Sequence, residues 1–315
     1  MKINGIKIGN MLKVFFVILI IAFIAGYFLY IRPNRIPPLN IPKPGNEIPE
    51  IDYKVTAKFD NLPTEAMVYR FKKPKDPEAE IKSLAKIFGL NGEVQYYQAA
   101  NEYFIKEGVD DRDYRLLRYQ INTGRWVYTD MKEYMHNYDY KPQNLPSDEE
   151  AKKIALDFLK KNGIYDKRFI YCGVAYESSG SALTNDYKVL RKDVNFFPVV
   201  DGKDVYGVSK IIVTVGDNGK IVEVTKWYKE IEEYKKVKLV PVEKAFEKVK
   251  KEEASNSINP KAKSATIKEV VLAYWEDAGT IEEQPYLQPV WVFAGEAVTE
   301  DGKVEKFDAV VPAIE

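Results

Sequence analysis

Apolar positions along the chain repeat with two periods: three segments carry them at helical spacing, and each is followed by stretches that alternate at strand spacing. In the first segment Asp76 suits a cap and Pro77 an opening turn, while Ile81, Leu84, Ala85 and Phe88 share one face before Gly89. In the second, Ser147 and Glu150 make a capping box ahead of Ala151, Ile154, Ala155, Phe158 and Leu159, and Gly163 ends it. The third opens at Pro241 and presents Val242, Ala245, Phe246 and Val249. Each should pack one face on a sheet.

Strands are expected over 93–106 and 114–128 after the first helix, over 169–176, 187–200, 208–215 and 220–227 after the second, and over 266–275, 290–298 and 304–311 after the third. Asn218-Gly219 suits a tight primed hairpin turn. Recurrence of helix followed by strands predicts an α+β fold of repeated helix-plus-antiparallel-sheet units. Plausible boundaries fall in linkers at 130–146 and 256–263, with the cut near residue 145.

The N-terminus departs from both periods. An uncharged run, VFFVILIIAFIAGYFLYI, lies between Lys13 and Arg32 and as a helix would reach roughly 27 Å, close to a bilayer's hydrocarbon thickness. It predicts a transmembrane helix at 11–31 behind a cytoplasmic tail at 1–10, a single-pass signal anchor with the bulk of the chain extracytoplasmic. Six prolines between Arg32 and Glu50 favour extended polyproline II, expected as a stalk over 32–50; such segments also serve as ligands for aromatic grooves. The resulting order is tail, span, stalk, an N-terminal α+β unit at 51–145 and a C-terminal α+β domain of two units at 146–315.

Composition narrows the functions. With 47 basic and 47 acidic residues there is no overall basic field for nucleic acid. One cysteine, Cys172, excludes an intramolecular disulfide framework and Cys-rich metal sites, and its place in a strand run predicts a small buried hydrophobe.

The stretch FPVVDGKDVYGVSKIIVTVGDNGKIVEVTKWY, from Phe197 to Tyr228, resembles a segment of PepSY-like modules and of the YycH and YycI regulators of the WalK sensor kinase. The closing YLQPVWVFAGEAVTEDGKVEKFDAVVPAI, from Tyr286 to Ile314, is similar to the ending of membrane-anchored bacterial proteins of the same broad kind. The resemblance implies a non-enzymatic extracytoplasmic module that restrains a kinase or peptidase or engages cell-envelope components.

Chemistry is sparse. His136, the one histidine, lies in a polar stretch where a surface role is expected, and Ser178, Ser179 and Ser181 lack the G-x-S-x-G elbow. Asp110-Asp111 with Asp113, and Glu282-Glu283, lack calcium-loop spacing, and there is no phosphate loop, dinucleotide fingerprint or H-E-x-x-H. No catalytic residue, metal or cofactor is expected. Tyrosines and tryptophans near strand ends suit an interface, and Trp227, Tyr228, Tyr134, Tyr138 and Tyr140 are the candidate interaction surface. Trp291 is expected in the core. The function expected is a membrane-anchored binding or regulatory module, with the bilayer and an envelope or membrane protein as partners. A cell-envelope hydrolase using paired carboxylates, or a structural assembly protein, is the alternative.

Overall fold

The structure, a computed structural model, describes residues 36–43, 51–180, 183 and 186–314. The chain divides into two compact units, Met1–Pro38 and Leu39–Glu315, and all described helices and strands belong to the second. The boundary expected near residue 145 falls inside it, where the Asn144 amide donates to Asp217 at 2.7 Å and its carbonyl accepts from Asn218 at 3.0 Å.

Among the described residues, four α-helices are set by local chemistry to different degrees. α1 (Pro77–Ile87) starts where the Asp76 carboxylate accepts the Ala79 amide at 3.0 Å, with Glu78 and Glu80 in its first turn. α2 (Met131–Tyr140) occupies a stretch read from the sequence as linker. Asp130 caps it, and its buried stripe is polar: Asn137 is 0% exposed, donates to the Glu133 carbonyl and accepts the Asp217 amide at 2.9 Å. Hydrophobic periodicity is blind to such a helix. α3 (Asp148–Lys161) carries the complete capping box of Ser147 and Glu150, and α4 (Val242–Lys250) buries Val242, Ala245 and Val249.

The strands are β1 (Asp52–Val55), β2 (Glu65–Phe71), β3 (Gln95–Tyr97), β4 (Glu102–Glu107), β5 (Arg115–Gln120), β6 (Trp126–Asp130), β7 (Phe169–Ser179) and β8 (Lys188–Val200). They continue as β9 (Lys203–Gly207), β10 (Lys210–Val215), β11 (Ile221–Trp227), β12 (Ile231–Lys238), β13 (Ser255–Asn256), β14 (Ala262–Glu276), β15 (Tyr286–Thr299) and β16 (Val304–Pro312). All sixteen join in one sheet, with backbone order β12-β2-β15-β14-β9-β8-β10-β11-β6-β5-β4-β3. It is mixed, since β1 and β9 both run parallel to β14.

This corrects the expected fold class. The described chain is a large mixed β-sheet with short helices laid on it, not an α+β array of separate antiparallel units behind a transmembrane helix. The single-pass membrane reading gains no support from the structure: among the described residues no helix is long and apolar enough to cross a membrane. The span expected at 11–31 lies outside the described residues.

One half-sheet, β7-β8-β10-β11-β6-β5-β4-β3, packs a face against α1 and α3. Its core includes Ile81, Ala85, Ala151, Ala155 and Leu159 from the helices and Leu117, Val194, Val213 and Val224 from the strands. Burying each of the larger side chains contributes about 1.5–3 kcal/mol. The opposite face meets α2, where the Tyr134 hydroxyl donates to Glu177 at 2.9 Å and the Arg191 guanidinium lies 3.5 Å over the Tyr134 ring. At the β10–β11 turn Asn218 and Gly219 both hold left-handed backbone, φ +55° and +71°, which is why Asn-Gly stands there. The second half-sheet packs Leu272, Trp291, Phe293 and Val311 against α4, and the Trp291 indole donates to the Val240 carbonyl at 2.9 Å.

A buried ionic cluster joins the halves. Arg125, from the β5–β6 turn, is 0% exposed and donates at 2.7 Å to Glu276 at the end of β14 and to the carbonyls of Asp277 and Ala278. Glu276 also accepts the Ser209 hydroxyl and, at 3.1 Å, the Lys229 amide. Burial pushes the Lys229 ammonium down to about 8, against the opposing pull of Glu276.

Candidate functional site

The strands β6 and β11 each end a run of one helix followed by strands, α1 through β6 and α3 through β11, and they pair antiparallel with Trp126 opposite Lys226 and Tyr128 opposite Val224. Pairing two equivalent strands in opposite directions creates a local pseudo-two-fold, which sets α1 and α3 side by side on one face. Between them opens a cleft of about 330 Å³. Its floor is Tyr119, Trp126, Lys226 and Tyr228; Glu80, Leu84 and Ile87 of α1 form one wall and Asn162, Gly163 and Ile164 the other.

Phase along β11 explains the floor. Val222, Val224, Lys226 and Tyr228 alternate, and Val224 and Tyr228 belong to the core under the helices, so the same phase carries a lysine inward. The Lys226 side chain is 13% exposed; its ammonium lies 3.2 Å from the Glu230 carboxylate, 3.4 Å from the Gly124 carbonyl and 4.2 Å over the Tyr228 ring. Burial lowers its pKa and Glu230 opposes that shift. Burial likewise raises Glu230, but Lys226 and Arg168, the latter at 3.2 Å, outweigh it and hold the carboxyl below its usual range. Tyr119 donates its hydroxyl to Glu80, and burial and that bond both raise its pKa.

A carboxylate held ionised by two cations is a poor general acid, and general acid catalysis of glycoside cleavage needs a raised pKa. Aromatic rings, a flanking apolar wall and an ammonium suit a ligand with an apolar side and a negative or oxygen-bearing group.

The aromatic residues expected as one surface fall in two places, at the end of β11 and on α2. Tyr228 lies in the cleft floor, 6% exposed and tilted against Phe169 at 4.4 Å. Trp227, its neighbour in opposite phase, is half-buried with the Arg125 guanidinium 5.4 Å over its ring. Tyr134 and Tyr138 sit on α2, the first bound to Glu177 and the second exposed, and Tyr140 ends that helix. His136 is exposed on α2, and Ser178 and Ser179 end β7, while Ser181 lies outside the described residues. Cys172 is also corrected: it is exposed, because it shares the outward phase of β7 with Ile170, 48% exposed, while Phe169 and Tyr171 face the core. Sequence reasoning missed Lys226, Glu230, Glu80 and Tyr119. The available signal was a lysine in the buried phase of an otherwise apolar strand.

No protein-family model and no curated protein matches this chain, so the PepSY-like resemblance rests on its motifs alone.

Proposed function

We propose that the protein is a binding module without catalytic chemistry, and that the cleft between α1 and α3 receives a short peptide segment of a partner protein. The observation that carries this is the Lys226 ammonium, held at the floor of an aromatic cleft by Glu230, the Gly124 carbonyl and the face of Tyr228. A main-chain carbonyl or carboxylate of the segment lies toward that positive charge, while an apolar side chain lies against Leu84, Ile87 and Trp126. The volume is at the small end of ligand sites, enough for one or two residues of an extended segment and too small for a folded surface element. A regulatory role follows from binding: occupancy bridges the helices of the two pseudo-equivalent runs.

Screening the full chain against a random peptide library tests this. Selected peptides should lose at least about tenfold in affinity to Leu84→Arg, which fills the cleft mouth while keeping a helix-forming residue. Selection of nothing above background, or equal binding by that variant, refutes the proposal.

A further inference from the structure

Residues 39–43, Leu-Asn-Ile-Pro-Lys, lie on the face of the second half-sheet opposite α4. Leu39 and Ile41 are 8% and 7% exposed, whereas Asn40, Pro42 and Lys43 face solvent. Alternation at two residues is extended backbone, and Pro42 enforces it by driving the preceding residue out of the helical region. The segment belongs to no strand of the sheet. Its side chains therefore hold it, as in polyproline recognition, and not a ladder of main-chain bonds.

The surface beneath has matching equipment. Leu39 and Ile41 cluster with Ala273, Val290, Val292 and Val310, with Tyr206 and Trp275 packed at the side. Tyr206 and Trp275 are cross-strand partners on β9 and β14. The Trp275 indole nitrogen is buried and donates to no acceptor among the described residues. A buried unpaired donor costs about 1–3 kcal/mol, so a carbonyl presented to it would be favoured. Two aromatic rings beside an aliphatic trough, with an indole N–H to spare, are the parts by which proteins read extended proline-containing segments.

We propose that this sheet face is a receptor for segments of the form Leu-x-Ile-Pro in a partner protein, and that residues 39–43 occupy it in cis as a strap the partner must displace. It stands apart from the cleft between α1 and α3 and does not depend on it. Because the occupant is tethered, it competes at high effective concentration, and an outside segment sees its affinity reduced by the fraction of time the face is free.

A fluorescent peptide of residues 36–43, IPPLNIPK, titrated by anisotropy against the full chain tests the proposal. It should bind the variant Leu39→Ser with Ile41→Ser at least about tenfold more tightly than the wild type, because the strap is weakened. The same peptide carrying the two serines should bind neither chain. Equal affinity for both chains, or no preference for the aliphatic peptide, overturns the proposal. So does a wild-type chain that dimerises by exchanging these segments. Should the double variant fail to fold, hydroxyl-radical footprinting of the wild type decides. Saturating peptide must raise labelling of the buried Leu39 and Ile41 side chains of the chain, and unchanged labelling there refutes the assignment.

Discussion

Replacing Glu276 by Gln should be among the most destabilising single changes in the chain. Glutamine keeps the shape and one carbonyl acceptor for the Ser209 hydroxyl or the Lys229 amide, so the change removes mainly charge. What remains is Arg125, 0% exposed, whose side chain has the two carbonyls of Asp277 and Ala278 but no carboxylate opposite. Breaking a buried pair on one side costs about 3–5 kcal/mol, because the surviving charge stays desolvated. For a domain of this size each kcal/mol moves Tm by about 2–4 °C, so a drop of roughly 6 to 20 °C is expected in thermal unfolding followed by circular dichroism. Removing both partners together, Arg125→Met with Glu276→Leu, should cost less than the sum of the two single changes. The exposed pair of Lys73 and Glu282, at 61% and 50% side-chain exposure, is the control, and Glu282→Gln should cost no more than about 1 kcal/mol. If Glu276→Gln and Glu282→Gln melt within a degree of each other, the buried cluster does not hold the two halves as described.

Asp193 and Glu223 flank Thr214 in register on the face under α2, and burial raises both carboxyls above their usual range against hydrogen bonds from Thr214 and Thr129. A raised folded pKa means the native state binds protons more tightly than the unfolded chain. The penalty of these groups is therefore full above their folded pKa and relieved as pH falls through it toward the unfolded value. Asp193→Asn with Glu223→Gln should raise Tm at pH 7 and flatten its dependence on pH just above the usual carboxylate range; a lower Tm at pH 7 contradicts this. On α2, His136→Ala should change stability by less than about 0.5 kcal/mol, whereas its neighbour Asn137→Ala, which strips a buried acceptor from the Asp217 amide, should cost about 1–3 kcal/mol in urea unfolding. Ser147→Ala removes the acceptor for the Glu150 amide at the start of α3 and should cost about 1 kcal/mol by the same measurement, with Ser147→Asp near neutral.

Much of the local structure was legible before the fold. α1 and α3 begin and end where cap, proline and glycine chemistry places them, and α4 begins after Pro241, because those signals act within a few residues on the backbone's own orphaned donors and acceptors. Strand alternation was equally local, and it placed Trp291, 1% exposed, in the core. A helix whose buried face is polar was not legible, since Asn137 and Tyr134 find their partners 80 and 43 residues away. Nor was the cleft. Lys226 shows in the sequence only as a charge in the wrong phase, and its meaning depends on Glu230, Arg168 and Tyr119 arriving from other turns and strands.

What the sequence alone determined was therefore where each element starts, stops and turns its apolar side. The tertiary structure decided which elements meet. β2 pairs with β12 and β15, far along the chain, while β6, at the end of the β3-to-β6 meander, pairs with β11, so the apparent units fuse into one mixed sheet. The physical reason is that strand partners are chosen by burial and register across long separations, where any apolar edge is a candidate and only the assembled core discriminates among them. The same holds for Arg125 and Glu276: each looks like an ordinary surface charge until packing removes the water around both.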